Sequence, residues 1–324
     1  MAEVRFLKAV NQALHDAMRH DPTVILIGED IASAGGSFKA TKGLLDSYGP
    51  ERVFDSPIAE AAIAGIAVGA ALTGMKPVLE IMFMDFSTLT MDMLVNQAAK
   101  ARSMFGGQAS VPLVLRTPHG GGLSAGPQHS QCLEAWFAHI PGLKVVVPAT
   151  PADAYALLRA AIDDPDPVIV VENKALYAMK GDLAETPEPV AIGKGRIALP
   201  GRDATVVAYG AMVFSALEAA SELAGEGIAV EVIDLRSIQP WDEALVLESL
   251  SRTHRLVVAH EAVEAFGVGA EIAARMADIG FDELDAPIVR VAAPFAPVPF
   301  SPVLEKHYRP DSADIAAALR RILA

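Results

Sequence analysis

Glu60 stands near the head of a run, Ala59 to Leu72, in which every other residue is apolar or glycine. A helix of that composition is expected to be buried nearly all round, with Glu60 as its one ionisable group. A buried carboxyl group has a raised pKa, so it can stay protonated or share a proton with a ligand nitrogen at neutral pH. The same position also reads as a first-turn glutamate that answers the helix dipole, and these residues leave both readings open. Ser56-Pro57 is expected to start the helix, Ser56 as N-cap and Pro57 at the first helical position, where its missing N–H costs nothing. Gly65 and Gly69 would let another backbone approach this helix closely.

A second candidate is His129, in the stretch Pro118 to Cys132 that also holds Gly120, Gly121, Gly122 and Gly126. Glycines allow close backbone approach to a ligand, and histidine titrates near neutrality. The glycine cluster fits no phosphate-loop spacing and reads equally well as a plain mobile loop. His119, His139, His254 and His260 sit in contexts where a structural role is the commoner explanation.

The elements that must position these residues follow from periodicity. Short runs rich in Val, Ile and Leu alternate with longer segments of helical spacing, the pattern of βαβ units around a mainly parallel sheet. In the first half, strands are expected at 24–28, 77–83, 111–116, 143–147 and 167–171, and helices at 6–19, 59–72, 91–105 and 151–162. The glycine-rich stretch then falls just past a strand's carboxyl end, where ligands bind in open α/β sheets. Pro, Gly and charges gather at 180–188 and 198–203, so the expected division is a first domain 1–185, a linker 186–203 and a second domain 204–324. In the second domain four strands, 205–208, 229–235, 256–260 and 288–291, alternate with helices 214–225, 242–251 and 270–278.

Composition narrows the class. The 324 residues are 52% apolar, 20% charged and 6% aromatic, which excludes disorder and low-complexity scaffolds. A net charge of −14 argues against nucleic acid or an anionic membrane surface as partner. The single cysteine, Cys132, has no partner within the chain for a disulfide or a structural zinc site, which suits a reducing compartment. Without a secretory or mitochondrial pattern in its first residues the chain reads as cytoplasmic, and its longest apolar run, Ala61 to Leu72, is well short of the ~20 residues that span a bilayer.

Five stretches carry a more specific resemblance: Asp55-Ser-Pro-Ile-Ala-Glu60, Glu80-Ile-Met-Phe-Met-Asp-Phe86, Gln128-His-Ser-Gln131, His139-Ile-Pro-Gly-Leu-Lys-Val-Val146 and Val171-Glu-Asn-Lys-Ala-Leu-Tyr177. In order and spacing they resemble the β subunit of the thiamine-diphosphate-dependent dehydrogenase component of 2-oxo acid (pyruvate-type) and acetoin dehydrogenase complexes. Val232-Ile-Asp-Leu-Arg236 and Val258-Ala-His-Glu261 are similar to that family's transketolase-type C-terminal domain. The resemblance implies an α/β fold of two domains, a parallel-sheet domain that binds the cofactor's pyrimidine followed by the transketolase-type domain. It implies that Glu60 bonds the N1′ nitrogen of the aminopyrimidine, that Phe86 packs beside that ring, and that His129 handles protons when an acyl group moves to lipoyl-lysine. Each fits its chemical type.

The same resemblance implies partners. Related enzymes hold Mg²⁺ and the diphosphate with a Gly-Asp-Gly motif and a later Asn, but this chain has no Gly-Asp-Gly and only Asn11, Asn96 and Asn173. Diphosphate and Mg²⁺ are therefore expected on a separate α subunit, in an α₂β₂ heterotetramer, with a lipoyl-bearing acyltransferase core as the further partner. The family often holds a potassium ion near the positions matching Leu113, Ala161, Ile162, Asp164 and Asp166, and oxygen donors suit a hard cation. Asp166 stands where relatives commonly have Asn, so a different cation or a simple solvated acidic turn is the alternative there. Phe295 stands where the family often carries an acidic residue that helps dock the acyltransferase. The implied chemistry is cleavage of the C–C bond next to the substrate carbonyl and reductive acylation of a lipoyl group, with pyruvate and acetoin as leading substrates. A branched-chain 2-oxo acid, or a non-catalytic assembly subunit of the same fold, is the alternative.

Overall fold

In the computed structural model, which describes residues 2–324, the short apolar runs form strands and the chain gathers into two units. The first comprises residues up to His119 together with Trp136–Ile192, and the second comprises Gly120–Ala135 and Gly193–Ala324. Among the described residues no helix is long and apolar enough to cross a membrane.

The first unit holds, in order, β1 (Ala2–Arg5), α1 (Phe6–His20), β2 (Val24–Gly28), α2 (Leu44–Tyr48), β3 (Val53–Asp55), α3 (Glu60–Leu72) and β4 (Lys76–Glu80). A helical stretch of changing pitch, Met84 to Met104, ends in α4 (Ala99–Met104). β5 (Val114–His119), α5 (Glu134–Ala138, at the division between units), β6 (Lys144–Val146), α6 (Pro151–Asp163), β7 (Val168–Asn173) and β8 (Lys180–Leu183) complete it. A parallel sheet runs β6-β7-β5-β4-β2-β3. Every residue of β2, β5 and β7 is buried, as expected when helices cover both faces of a parallel sheet. The register places Asp55, Gly28, Glu80 and Arg116 in one row, at the carboxyl ends of β3, β2 and β4 and midway along β5. Gly28 is needed in that row, because an added Cβ would lie 2.8 Å from the Glu80 carbonyl oxygen.

The second unit holds β9 (Arg196–Leu199), β10 (Ala204–Ala208), α7 (Met212–Ala224), β11 (Val230–Asp234), β12 (Ser237–Gln239), α8 (Glu243–Thr253) and β13 (Leu256–Val263). It continues with α9 (Val268–Ile279), β14 (Val289–Ala293), α10 (Pro302–Tyr308) and α11 (Ser312–Leu323). Its sheet has the order β14-β13-β10-β11-β9, parallel except for β9, which runs antiparallel to β11. Asp311 opens α11 with a reciprocal capping box that includes Asp314.

Four expectations need correction. The linker at 186–203 contains a strand, since Arg196–Leu199 pairs with β11 as a fifth strand of the second sheet. The glycine-rich segment Gly120–Ala135 groups with the second unit, not with residues 1–185. Ser56 and Pro57 do not start α3. The helix begins at Glu60, with Ala59 in a non-helical conformation and no side-chain cap. Its apolar composition also does not produce burial all round: Ala61, Ala62, Gly69 and Leu72 are exposed, and Ile66 is 53% exposed. The expected strands at 77–83 and 111–116 lie at Lys76–Glu80 and Val114–His119, while α10, α11 and β12 had no counterpart in the periodicity.

Candidate functional site

In the first unit the site is built where β2 and β3 end and α3 begins. The Asp55 carboxylate, at the end of β3, accepts hydrogen bonds from the N–H groups of Ala32 (2.7 Å) and Ser33 (3.3 Å) and from Ser33 Oγ (3.1 Å). Partial burial pushes the Asp55 pKa up, but these bonds outweigh it and the net shift is downward. They tie the segment after β2 to β3. Glu29, the residue after β2, reaches to the head of α3, where its Oε1 accepts the Ala59 N–H at 3.3 Å. The N–H of Ala59, just before the helix, is thus met by a carboxylate from the segment that follows β2 rather than by a serine cap.

Glu60 follows Ala59 and is 6% exposed, with Glu29 buried beside it. Burial, and after it the charge of Glu60, raises the Glu29 pKa above the usual carboxylate value. The raised Glu29 pKa favours its protonated form beside Glu60, so the head of α3 presents two buried carboxyl groups where a ligand nitrogen could be bonded. Sequence reasoning singled out Glu60 as a candidate and did not single out Glu29. The available signal was its position directly after the apolar strand Val24–Gly28.

Phe86 lies on the turn of helix from Met84 to Thr90 that α3 packs against, and it is half-buried. Its ring meets Phe83 edge-to-face at 6.0 Å, Phe83 meets Phe38 at 5.8 Å, and Phe38 meets Tyr177 at 5.1 Å. Behind this aromatic chain is a buried ion cluster. Arg116 donates from Nε and Nη2 to the two oxygens of Glu172, both at 2.8 Å, and from Nη1 to Glu80 at 2.7 Å. The Tyr177 hydroxyl donates to Glu172 at 2.9 Å. Burial alone would lower the guanidinium pKa, but the Glu172 and Glu80 carboxylates override it and keep Arg116 charged. Burial, with the neighbouring Glu172 carboxylate, raises the Tyr177 hydroxyl well above its ordinary value, so it remains a donor. Lys174 adds a cation 5.1 Å above the Phe83 ring.

The five residues considered for a cation gather at the turn from α6 into β7. The Leu113 carbonyl accepts the Val168 N–H at 2.9 Å, and the Ala161 carbonyl accepts the Asp164 N–H at 3.4 Å. Lys144 Nζ donates to both Asp164 carboxylate oxygens at 2.7 Å, and Arg102 Nε donates to Asp166 at 2.6 Å. The two carboxylates are thus met by side-chain cations. Ile162 is buried next to Ala161.

In the second unit His129 is half-buried on the glycine-rich loop, its N–H donating to the Gly126 carbonyl at 3.4 Å. The loop ends at Glu134, which is fully buried and accepts a hydrogen bond from Tyr209 at 2.9 Å. The Tyr209 ring stacks on His260, 6.2 Å away. Burial lowers the His260 pKa, so this histidine is held neutral, in keeping with a structural role. Phe295 is 81% exposed.

Comparison with known proteins gives the same family from several directions. Residues 2–180 match the transketolase pyrimidine-binding domain, and residues 193–315 match the transketolase C-terminal domain. The chain is 46% identical to the mitochondrial pyruvate dehydrogenase E1 component subunit beta-2 of Oryza sativa subsp. japonica, over 98% of this chain and 86% of the relative. It is also 46% identical to the acetoin:2,6-dichlorophenolindophenol oxidoreductase subunit beta of Bacillus subtilis (strain 168), over 97% of this chain and 96% of the relative. A solved structure titled split gene transketolase, inactive beta4 tetramer, superposes with a TM-score of 0.82 at 24% identity, over 99% of this chain and 98% of that one, and is similar in fold.

Proposed function

The chain belongs to the family of β subunits of pyruvate- and acetoin-type dehydrogenases, which use thiamine diphosphate, and we propose for its residues the following division of labour. Glu60 is the carboxyl group that bonds the cofactor's pyrimidine nitrogen and holds or returns a proton there. The observation that carries this reading is the buried pair at the head of α3, Glu60 with a Glu29 whose pKa is raised. Glu29 keeps the start of α3, and with it the backbone next to Glu60, fixed through Ala59. Phe86 packs against the pyrimidine, braced through Phe83, Phe38 and Tyr177 by the Arg116 cluster. Thiamine diphosphate, held through its pyrimidine by Glu60 and Phe86, would supply the electron sink that cleavage next to the substrate carbonyl needs. His129 moves a proton at its ring nitrogen as the acyl group passes to a lipoyl group.

The chain works with a separate α subunit that holds the diphosphate and Mg²⁺, in an α₂β₂ assembly that delivers acyl groups to a lipoyl-bearing acyltransferase. Supporting this are the missing Gly-Asp-Gly motif and the apolar face that α3 leaves exposed, of the kind an assembly covers. A potassium ion at Leu113, Ala161, Ile162, Asp164 and Asp166 would be held through main-chain oxygens, since Lys144 and Arg102 already meet the two carboxylates. Each carbonyl has a second lone pair to offer. With Phe295 in place of an acidic residue, docking of the acyltransferase draws on the C-terminal domain more broadly. A reducing, cytoplasmic location fits the single Cys132.

The test is the α subunit co-expressed with this chain, assayed with an artificial electron acceptor on pyruvate, acetoin and a branched-chain 2-oxo acid, with and without thiamine diphosphate. Cofactor-dependent turnover of one of the three is expected. Glu60→Ala is expected to lower it by about 10²-fold or more while the assembly stays intact by gel filtration. Unchanged turnover in that variant would remove the role of Glu60 and favour a non-catalytic assembly subunit.

A further inference from the structure

The loop that carries His129 is rich in glycine, yet it is fastened along most of its length by side chains from the C-terminal part of the sequence. The Gly121 N–H donates to Glu261 Oε1 at 2.7 Å. The Gly122 N–H donates to Glu305 Oε1 at 2.8 Å, and the Ser124 N–H to Glu305 Oε2 at 2.9 Å, with Ser124 Oγ at 3.3 Å from the same oxygen. Glu305 is thus a fork whose two oxygens close on two backbone donors two residues apart. Arg309, one turn further along the chain, donates from Nε to Glu261 Oε1 at 2.9 Å and lies over the loop. A Cβ added at Gly121 would come 2.9 Å from Arg309 Cδ, and one at Gly122 would come 2.8 Å from Nη1. Phe300 closes on Gly126, where any added Cβ would collide with its ring, and Gly126 in turn accepts the His129 N–H.

The glycines therefore have a use other than mobility. Gly122 and Gly126 adopt φ of +98° and +75°, a region other residues rarely occupy; Gly122 lies between the N–H groups that meet the two carboxylates, and Gly126 sits against Phe300. Glu261 and Glu305 are 6% and 4% exposed. A buried carboxylate that accepts backbone N–H groups gains most when charged, and such charge-assisted bonds are about twice as strong as neutral ones. Fixing residues 121, 122, 124 and 126 leaves His129 only three residues of chain in which to wander. For proton transfer this matters, because a displacement of about 1 Å can cost about 10²-fold in rate.

We propose that Glu305 and Glu261, assisted by Arg309, are positioning residues that set the place of His129 by clamping the backbone of the glycine-rich loop. The inference rests on the proposed role of His129 in passing the acyl group to lipoyl, and it assigns the fixing of that histidine to α10 and β13.

The experiment uses the assembly with the α subunit. Amide hydrogen exchange across residues 120–130, read by mass spectrometry without cofactor, is compared between the parent chain and Glu305→Gln and Glu305→Ala. Two rates are then measured for each: turnover with a dye acceptor, and reductive acylation of a free lipoyl domain. Faster exchange confined to 120–130 is expected, together with a fall of about 10-fold or more in the ratio of lipoyl acylation to dye turnover. The fall should be smaller for Gln, which keeps one acceptor oxygen, so the Gln variant carries the test if Ala fails to assemble. His129→Ala should lower the same ratio, and the double variant His129→Ala/Glu305→Ala should be no worse than His129→Ala alone. Multiplying effects in the double variant, an unchanged ratio in the Glu305 variants, or unchanged exchange would overturn the positioning role. An unchanged ratio in His129→Ala would instead overturn the proposed role of His129 itself.

Discussion

Glu29 is the residue whose titration tests the site most directly. Burial first, and the Glu60 charge second, hold its carboxyl above the ordinary value of 4.5. A folded-state pKa above the unfolded one means the native chain binds the proton more tightly, so stability is lost as pH rises from about 4.5 through the native value. Glu29→Gln keeps an oxygen for the Ala59 N–H and removes the titration. The variant should melt higher than the parent at pH 8, by a small margin on the order of 1–2 °C after solvent screening, and the gap should close toward pH 4.5. Parallel thermal melts from pH 4.5 to 8 measure it, and a gap that stays constant with pH would mean that Glu29 is not titrating as its surroundings require. Glu60 stands out as a candidate because it is the single charge in a run of apolar residues, and His129 because a titratable ring follows a cluster of glycines. Glu29 was hidden, since the Ala59 N–H that it serves lies 30 positions along the chain and no local pattern marks such a contact. Glu305 was hidden for the same reason, 183 positions from Gly122.

At the scale of elements the parallel strands do more than fill the core. β4, β5 and β7 carry Glu80, Arg116 and Glu172, and the register sets Glu80 directly opposite Arg116. Arg116→Met would leave two carboxylates buried without their cation, which typically costs about 3–5 kcal/mol. Urea unfolding of the variant should show that loss. A change below about 1 kcal/mol would mean that water or a rearranged side chain reaches the cluster. The strands themselves were legible because they are apolar on both faces, the mark of a covered parallel sheet. Their ends were less so, and β5 starts at Val114, three residues after the apolar run begins at Val111. α3 was read correctly as a helix and wrongly as fully buried, because composition reports which residues tolerate an apolar neighbour and not whether this chain supplies that neighbour. β9 was read as linker because Pro200 and Gly201 follow its four residues so closely. Pairing with β11, a tertiary contact, is what makes Arg196–Leu199 a strand.

At the scale of the whole molecule, the division of the chain in sequence differs from its division in space. A cut between β8 and β9 looks like a cut between domains, yet the second unit also contains Gly120–Ala135. Expressed alone, residues 193–324 would lack the N–H groups of Gly121, Gly122 and Ser124 that serve Glu261 and Glu305. Two buried carboxylates would lose three charge-assisted bonds of about 1.5–3 kcal/mol each, a sum comparable with the ~5–15 kcal/mol net stability of a whole domain. The fragment is therefore expected to unfold non-cooperatively, with rapid amide exchange along β13 and α10. A full-length chain nicked within 184–192 still has its own segment 120–135 to occupy those carboxylates, so its two pieces should elute together in gel filtration and melt in one transition. If 193–324 instead folds alone with a sharp transition, or the nicked pieces separate, Glu261 and Glu305 are not what holds the loop. The outcome bears on function as well as folding, because the contacts that would make the two pieces inseparable are the ones that fix the backbone on which His129 sits.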